Sequence, residues 1–480
     1  MKYETIIGLE IHAQLATESK MFCGCSTKFG AEPNSNICPV CTGQPGTLPV
    51  VNKKAFELAI KTAIALNCKI EPQSIFARKN YFYPDLPKDY QVSQYELPLA
   101  TGGYINVEVD GEVKKIGITR VHLEEDAGKL VHQGAAQIMG ADSSLVDYNR
   151  TGTPLMEIVS EPDIRSPKEA AAYMQTMANL LQYIAVSDAK LEEGSLRCDA
   201  NISLRPIGQK EFGTKSELKN MNSFKAVEKA LIYEVKRHNE VVSEGGKIVQ
   251  DTRFYDEKTD TTKGMRTKEF AHDYRYFPEP DLVPVEPSQE WVEEIRQSLG
   301  ELPANRKARF IKDFGLTTDD AGLLVSNKAV ADFFEEALKL LNNPKAIANW
   351  INGELTAYLN EHNLTITQAN ISPAKLVELI QAIDQGTISG KIAKTVLVKV
   401  LETGKSVKEV VAESGLTQMS DEGELVKIIR DVIKNNPKQL EQYKGGKTTV
   451  LAFFVGQTMK ATKGRANPGM VNKLLKQELG

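Results

Sequence analysis

The stretch Leu196–Arg205, which reads LRCDANISLR, alternates between two kinds of side chain. Its even-numbered positions are all apolar, and its odd-numbered positions are all polar or charged. Because successive strand side chains point to opposite faces of a sheet, this alternation predicts a strand with one buried and one polar face. Asp199 and Asn201 are poor strand formers, which favours a specific role for the polar face. If this stretch is considered alone, the alternative is that its polar face is simply exposed to solvent and has no specific role.

A second alternating stretch, Ile7–Leu15, combines an acid with a histidine. It reads IGLEIHAQL, and its apolar residues alternate with Glu10, His12 and Gln14. A carboxylate and an imidazole two positions apart on one strand face are within reach of a single ion.

A third stretch, Ile116–Gly128, reads IGITRVHLEEDAG and ends in three consecutive acids. Adjacent carboxylates repel one another unless they are solvated or neutralised, and hard oxygen ligands of this kind suit Mg²⁺. Strict alternation would group His122 with Glu124 and would put Glu125 on the opposite face. The expected strand end leaves that assignment open. Glu157, in the later stretch NRTGTPLMEIVSEPD, adds an acid near a turn.

Length and charge bound the class of protein. The chain has 480 residues, which predicts about three domains. It has 63 acidic and 59 basic residues and a net charge of −4, which excludes a uniformly basic protein but not a local basic surface. No run approaches the ~18 apolar residues of a membrane span, and the charged first ten residues do not resemble a signal peptide. We therefore expect a cytoplasmic protein without membrane contact.

Four of the six cysteines lie close together in the sequence. Two close pairs separated by twelve residues are typical of a structural zinc site, in which four thiolates leave no open position for a substrate. Disulfides are the alternative, although a cytosolic chain keeps its thiols reduced. The expected zinc ligands are Cys23, Cys25, Cys38 and Cys41.

Several segments offer donors for phosphate oxygens. The segment Arg78–Gln94 mixes aromatic residues, prolines and bases, and it is too irregular for a regular element. It either contacts a nucleotide or nucleic acid, or packs on its own domain. A donor-rich turn precedes Ser223, the predicted cap of a helix, although a solvated loop fits that turn equally well. Three short segments with cationic side chains follow, at 251–253, 266–268 and 273–281. The residues predicted to contact a nucleotide cofactor are Lys79, Lys219, Asn220, Arg253 and Arg275.

The remainder of the chain has helical spacing. We expect a cradle domain at 1–290, a helical domain at 291–405 and a helical tail at 406–480. Between Gln442 and Gln477 there are seven bases and no acid, which favours contact with a phosphate backbone over a merely solvated basic face. Two near-matches to a phosphate-binding loop lack its first glycine, and no nucleophile elbow is present. The predicted tRNA contacts are Lys444, Lys447, Lys460, Lys463 and Arg465.

Taken together, these motifs resemble the GatB family, the B subunits of bacterial aspartyl/glutamyl-tRNA amidotransferases. The motifs IGLEIHAQL, RKNYFYPDLPKDYQ, GITRVHLEEDAGK, NRTGTPLMEIVSEPD, LEEGSLRCDANIS, KNMNSF and DYRYFPEPDL run in the family's order across the chain. The resemblance implies an α+β fold: a mixed α/β cradle with an antiparallel sheet, then a helical domain and a small helical tail that contacts tRNA.

The resemblance also implies a reaction. Such a protein would phosphorylate the side-chain carboxylate of Glu-tRNA(Gln) or Asp-tRNA(Asn) with ATP and Mg²⁺. Ammonia from an amidase-type glutaminase A subunit would then form the amide, with a small C subunit completing a heterotrimer. By the same resemblance Glu10, His12 and Glu125 are the catalytic Mg²⁺ ligands, Glu157 and Asp199 are further candidates, and zinc is structural. The alternative function is a non-catalytic, zinc-stabilised scaffold that binds tRNA.

Overall fold

The computed structural model describes residues 3–134, 142–267, 274–415, 422–462 and 466–480. It divides into two compact units, Met1–Leu302 and Pro303–Gly480. Within these described ranges, no helix combines the length and the apolar character that crossing a bilayer requires. The architecture is α+β, with the described strands in the first unit, as the sequence predicts.

The first unit contains the sheets and four of the described helices. The strands are β1 (Tyr3–Gln14), β2 (Lys69–Ile70), β3 (Ala77–Asn80), β4 (Tyr90–Ser93), β5 (Ala100–Val109), β6 (Glu112–Glu125), β7 (Lys129–Gln133), β8 (Ser143–Asp147), β9 (Pro154–Ser160), β10 (Leu196–Pro206), β11 (Ser216–Lys219), β12 (Asp251–Asp256), β13 (Thr261–Thr267) and β14 (Phe277–Pro278). The helices are α1 (Lys53–Ala65), α2 (Pro167–Tyr183), α3 (Phe224–Ser243) and α4 (Gln289–Ser298).

The main sheet has the strand order β13-β12-β11-β10-β1-β9-β6-β5-β2. Neighbouring strands are antiparallel except β11 and β12, which are parallel. The expectation of an antiparallel sheet was therefore incomplete. The chain between β11 and β12 runs through α3, and a crossover of this length is what a parallel pair requires.

Alternation along β10 separates the core from the polar face, as the sequence predicts. Leu196, Cys198, Ala200 and Ile202 are buried, and they belong to one hydrophobic core together with apolar residues of α1, α2 and α3. The opposite face of the sheet is left to the polar residues. This division places six acids and histidines together on one side of the sheet: Glu10, His12, His122, Glu124, Glu157 and Asp199.

The caps of two helices agree with their sequences. Ser223 Oγ accepts a hydrogen bond from the backbone N–H of Ala226 at the start of α3. Ser166 Oγ accepts one from Glu169 N at 3.2 Å at the start of α2. The residues Ser166 and Glu169 have the spacing of a capping box, but the carboxylate of Glu169 accepts a hydrogen bond from Arg165 N and not from Ser166 N, so only half of such a box is formed.

The segment expected to be irregular contains two strands. β3 lies between β4 and β14 and pairs with both in a small sheet. The pairing joins residues distant in sequence, such as Arg78 and Phe277, so no local pattern indicated it. β7 and β8 form a separate hairpin.

The helix α4 belongs with the first unit, although it was expected to begin the helical domain. Ile295 lies in the core of the first unit, and the Trp291 ring stacks on that of Phe56 with centroids 6.3 Å apart. The boundary between the units follows at Leu302 and Pro303.

The second unit is helical and contains two hydrophobic cores. Its helices are α5 (Pro303–Phe314), α6 (Thr318–Val325), α7 (Lys328–Leu340), α8 (Pro344–Trp350), α9 (Thr356–Glu361), α10 (Pro373–Asp384), α11 (Gly390–Thr403), α12 (Val407–Ser414), α13 (Glu422–Lys434), α14 (Pro437–Lys444), α15 (Leu451–Ala461) and α16 (Pro468–Leu479), with a π-helical turn at Ile351–Leu355 and a 3₁₀ turn at Thr448–Val450. One core runs from Phe310 to Val411, and the other from Leu425 to Leu479. α12 therefore packs with the preceding helices, although the tail was expected to begin at 406.

Candidate active site

Three strands bring two histidines and an acid into one row on the polar face. His122 of β6 pairs with Glu157 of β9, and Glu157 pairs with His12 of β1. Directly paired residues in a sheet point to the same face, so these three side chains meet. Arg197 of β10, which pairs with His12, ends the row.

The side chains of this row and one further acid form a contiguous cluster. Glu157 Oε2 lies 3.2 Å from His12 Nε2 and 3.4 Å from His122 Nε2. His122 Nε2 also lies 3.2 Å from Glu124 Oε1. We call His12, His122, Glu124 and Glu157 the acid–imidazole cluster. Among them, His122 and Glu124 were not assigned a role from sequence, although strict alternation along β6 had grouped these two.

The small sheet fixes the orientation of Glu124. Ser93 Oγ donates a hydrogen bond to Glu124 Oε1 at 2.6 Å, and Gln91 Nε2 donates to Glu124 Oε2 at 3.0 Å. All three side chains are buried. No sequence pattern indicated this role for Ser93 and Gln91, because it depends on the packing of one sheet over another.

The cluster balances its acids with imidazole protons. Burial lowers the pKa of His122, but Glu157 and Glu124 outweigh burial and raise that pKa to about 9. Burial also lowers the pKa of His12, but Glu157 more than offsets this effect, so that pKa is raised as well. Burial raises the pKa of Glu124, but the hydrogen bond with His122 and the charge of Lys79 bring it down to about 2. Burial acts on Glu157 in the same direction, and the two histidines hold its pKa well below the usual range.

The cluster has the donors that a divalent cation needs. Single ligand atoms of His12, Glu124 and Glu157 all lie within 4.8 Å of one another. Carboxylate oxygens suit Mg²⁺ or Mn²⁺, and three protein ligands leave coordination positions for water and phosphate oxygens. A bound cation would replace the imidazole proton of His12 as the balancing charge. The residues present therefore fit such an ion.

Two of the predicted ligands lie in the next row of the same face. Glu10 of β1 pairs with Asp199 of β10. Burial raises the pKa of Glu10, as do the charges of Glu157 and Asp199. Asn201 Nδ2 donates a hydrogen bond to Glu10 Oε1 at 2.9 Å, and the Asp199 carboxylate forms an ion pair with Lys219. Glu10 and Asp199 thus extend the acidic surface beside the cluster.

The structure does not bring Glu125 into the cluster. Its carboxylate forms an ion pair with Lys88 and accepts a hydrogen bond from Val92 N at 3.0 Å. It faces a cavity of about 90 Å³ that Lys20 and Cys41 also line. The physical reason is strand alternation: β6 pairs regularly with β9 from Arg120 to Glu125, so Glu124 and Glu125 point to opposite faces. Of the two adjacent acids, Glu124 lies in the acid–imidazole cluster and Glu125 does not.

Lys79 is a predicted nucleotide contact whose ammonium interacts electrostatically with Glu124 of the acid–imidazole cluster. Burial lowers the pKa of Lys79, but the charges of Glu124, Glu157 and two neighbouring tyrosines together outweigh burial, and the pKa is raised overall. Its Nζ atom lies 5.2 Å from the ring centroid of Tyr274 and 5.8 Å from that of Tyr81.

Arg253 is instead engaged within the fold. Its Nε donates to Thr262 Oγ1 at 2.8 Å, and its Nη1 donates to Asp251 Oδ2 at 2.8 Å. Its Nε also lies 3.1 Å from a carboxylate oxygen of the buried Glu234. These contacts hold β12 and β13 to α3, and they occupy the guanidinium that was predicted to bind phosphate.

The other three predicted nucleotide contacts, Lys219, Asn220 and Arg275, differ in their surroundings. Lys219 is paired with acids, including Glu217 at 3.2 Å. Asn220 has a φ of 68°, and its Nδ2 donates to Tyr255 O at 3.2 Å, so it stabilises a turn. Arg275 is exposed, and its carbonyl accepts a hydrogen bond from Asn80 at 2.8 Å. Lys268, in one of the segments with cationic side chains, lies outside the described residues.

The four clustered cysteines form a separate site. Sulfur atoms of Cys23, Cys25, Cys38 and Cys41 lie within 4.8 Å of one another, and none is in a disulfide. The buried ammonium of Lys20 donates to Cys41 Sγ at 3.5 Å. A buried positive charge beside four sulfurs fits the net negative charge that four thiolates leave on a zinc ion.

Comparisons with known proteins agree with this arrangement. A family model described as the GatB/GatE catalytic domain matches residues 5–293, and one described as the GatB domain matches residues 332–479. The chain belongs to the GatB family.

Full-length relatives support this membership. A protein of Carboxydothermus hydrogenoformans is 56% identical over 478 residues, which cover 100% of this chain and 99% of the relative. A protein of Brevibacillus brevis has the same identity and coverage, and one of Geotalea daltonii is 55% identical over 480 residues, with both chains fully covered. All three are named as the B subunit of an aspartyl/glutamyl-tRNA(Asn/Gln) amidotransferase. The match to the GatB/GatE catalytic domain spans the whole acid–imidazole cluster.

The basic segment of this GatB-family chain lies on its last helices. Lys444 ends α14, Lys447 follows it, and Lys460 lies in α15; all three are exposed. Lys463 and Arg465 lie outside the described residues. The exposed lysines remain candidates for phosphate contacts.

Proposed function

We propose that this chain activates the side-chain carboxylate of Glu-tRNA(Gln), Asp-tRNA(Asn) or both by ATP-dependent phosphorylation. Ammonia delivered by a partner glutaminase subunit then displaces phosphate and forms the amide. The observation that carries the proposal is the row His122–Glu157–His12 with Glu124 beside it, in the unit that matches a catalytic domain. The names of the relatives supply the substrate class.

The chemistry explains why such a cluster is needed. A carboxylate is a poor electrophile, and phosphorylation converts one of its oxygens into a leaving group. Enzymes catalyse phosphoryl transfer mainly by positioning the reactants and neutralising charge. His12, Glu124 and Glu157 would hold Mg²⁺, which when bound neutralises phosphate oxygens and orients the transferred group.

Residues around the cluster would complete the site. Ser93 and Gln91 hold Glu124 in one orientation, so its free lone pairs point in a fixed direction. Lys79 provides ammonium donors beside the acids, and these would bind a phosphate or carboxylate oxygen. Glu10 and Asp199 extend the acidic surface, where a second cation or the incoming ammonia could be bound. Burial of the cluster limits water, which would otherwise hydrolyse an acyl phosphate.

The same proposal includes partner subunits and a zinc ion. The sequence contains no nucleophile elbow for glutamine hydrolysis, so ammonia would come from an amidase-type A subunit, with a small C subunit completing a heterotrimer. Zinc at Cys23, Cys25, Cys38 and Cys41 would be structural, because four thiolates leave no open coordination position. Lys444, Lys447 and Lys460 would contact the tRNA backbone.

The alternative function is a tRNA-binding scaffold without chemistry of its own. The discriminating experiment follows tRNA-dependent ADP formation by the assembled complex, with Glu157→Gln as the variant and the exposed Glu112→Gln as the control. We expect Glu157→Gln to lose ADP formation while glutamine hydrolysis persists, and Glu112→Gln to match the parent. Unchanged ADP formation in Glu157→Gln would favour the scaffold.

A further inference from the structure

A row of tyrosines runs outward from the acid–imidazole cluster. The Tyr81 and Tyr274 rings contact edge to face at 6.2 Å, and the Tyr274 and Tyr276 rings do so at 6.1 Å. Tyr276 then stacks face to face on Tyr95, with centroids 4.2 Å apart and ring planes 8° apart. Lys79 lies at the inner end of the row, where its Nζ contacts the Tyr81 and Tyr274 rings.

The backbone beneath this row is fixed by the small sheet. Asn80, the last residue of β3, donates its backbone N–H to Tyr274 O at 3.0 Å. Its side-chain Nδ2 donates to Tyr274 O at 3.1 Å and to Arg275 O at 2.8 Å. The aromatic row is therefore held against the same small sheet whose Ser93 and Gln91 orient Glu124.

The inner end of the row suits an anion. Across the described ranges, no carboxylate forms an ion pair or hydrogen bond with the Lys79 ammonium, whereas Lys88 and Lys219 are each paired with an acid. A lysine held by ring faces keeps its N–H donors for a ligand. A phosphate oxygen is the matching acceptor beside a cation site.

The outer end of the row has an open ring face. Tyr95 is 49% exposed, and Tyr276 is its single aromatic or cationic partner among the described residues. One face of the Tyr95 ring is thus covered by a stacked tyrosine, and no second ring from the described part of the chain contacts it. A half-exposed aromatic face can stack a nucleobase, and a lysine at the other end of the same row of rings can meet the phosphate of that nucleotide.

We propose that the Tyr95–Tyr276 stack is the platform for an adenine base, with Lys79 contacting the phosphate of the same nucleotide. This inference rests on the proposed function, under which two substrates present adenine: ATP and the 3′-terminal adenosine of tRNA. Stacking on an aromatic side chain would strengthen the binding of either adenine in the same way. Loss of the Tyr95 ring weakens binding of the stacked ligand about tenfold or more.

The test measures binding to the assembled amidotransferase complex without requiring turnover. Dissociation constants are determined for a non-hydrolysable ATP analogue and for uncharged tRNA, with and without its 3′-terminal adenosine. The variants are Tyr95→Ala, Tyr95→Phe, which keeps the ring, and Phe212→Ala, which removes an exposed ring elsewhere on the chain.

The expected result is that Tyr95→Ala weakens binding of one ligand about tenfold while Tyr95→Phe and Phe212→Ala bind like the parent. Weaker binding of the ATP analogue assigns the platform to ATP. If Tyr95→Ala binds intact tRNA more weakly than the parent does, and both bind tRNA without its terminal adenosine equally well, the platform holds the tRNA end. Parental binding of both ligands by Tyr95→Ala, or equal losses in the Ala and Phe variants, overturns the platform. A parental complex that binds neither ligand overturns the proposed function itself.

Discussion

The Oε2 atom of Glu157 lies 3.2 Å from the Nε2 atom of His12 on the neighbouring strand. His122 contacts the same oxygen from the other side, at 3.4 Å. One carboxylate oxygen between two imidazoles is therefore the centre of the site.

The first prediction separates two adjacent acids. Glu124→Gln should weaken Mn²⁺ binding to the complex about tenfold or more, because it removes a ligand of the acid–imidazole cluster. Glu125→Gln should leave the Mn²⁺ dissociation constant unchanged, since its carboxylate is paired with Lys88 on the opposite face. Both side chains are buried, so each variant controls for the other. The measurement is titration with Mn²⁺ followed by electron paramagnetic resonance. Equal losses in the two variants would refute the assignment.

This pair of acids also shows what the sequence could and could not predict. Alternation along β10 correctly predicted a strand with a buried and a polar face, and along β6 it had favoured Glu124. The resemblance to a family pointed to Glu125 instead, because a shared motif does not state which way each side chain points. Ser93, Gln91 and the engagement of Arg253 escaped prediction because they depend on contacts between segments distant in sequence.

The cysteine site gives a second prediction. Cys38→Ser should remove one equivalent of zinc per chain and lower the midpoint of thermal unfolding, while Mn²⁺ binding at the acid–imidazole cluster persists. The reason is that four clustered sulfurs leave no open position for chemistry. Metal analysis of the purified complex and differential scanning calorimetry provide the readouts. A folded Cys38→Ser variant that keeps its zinc and its stability would contradict the zinc assignment.

The third prediction concerns acid stability. Burial raises the pKa of Glu234, but His238, Arg237 and Thr262 overcome it and lower the pKa to about 2. A carboxylate with a depressed folded-state pKa stabilises the fold above its unfolded-state pKa and loses this contribution as pH falls towards 2. Glu234→Gln should therefore destabilise the first unit by about 3 kcal/mol at pH 7, with a smaller difference at pH 3.

Denaturant titration of the full chain at several pH values measures this difference. The control is the exposed Glu240→Gln on the same helix, which should differ little from the parent at any pH. A Glu234→Gln difference that stays constant between pH 7 and pH 3 would show that the charge of Glu234 does not contribute as described.

The fourth prediction concerns the basic helices. Replacing Lys444, Lys447 and Lys460 together by Gln should weaken tRNA binding and flatten its salt dependence. Each lost phosphate contact removes roughly 0.7–0.9 of a unit from the log–log slope. Substitution is a cleaner test than deletion from Ser406, because α12 contributes Val407 and Val410 to the preceding helical core. Exposed bases on other helices provide a control of equal charge: Lys312, Lys339 and Lys391, also replaced by Gln. Identical salt slopes in the two triple variants would exclude this segment as the tRNA contact.

Transfer of ¹⁸O from substrate to phosphate tests whether this chain phosphorylates the side-chain carboxylate at the acid–imidazole cluster. Glu-tRNA(Gln) carrying ¹⁸O in its side-chain carboxylate is amidated by the assembled complex in a single turnover, and the released phosphate is analysed by mass spectrometry. If an acyl phosphate forms, the parental complex should transfer one ¹⁸O atom to phosphate for each amide produced, and Glu157→Gln should transfer none above background. Phosphate free of ¹⁸O in the parent, or undiminished transfer in Glu157→Gln, would contradict the account.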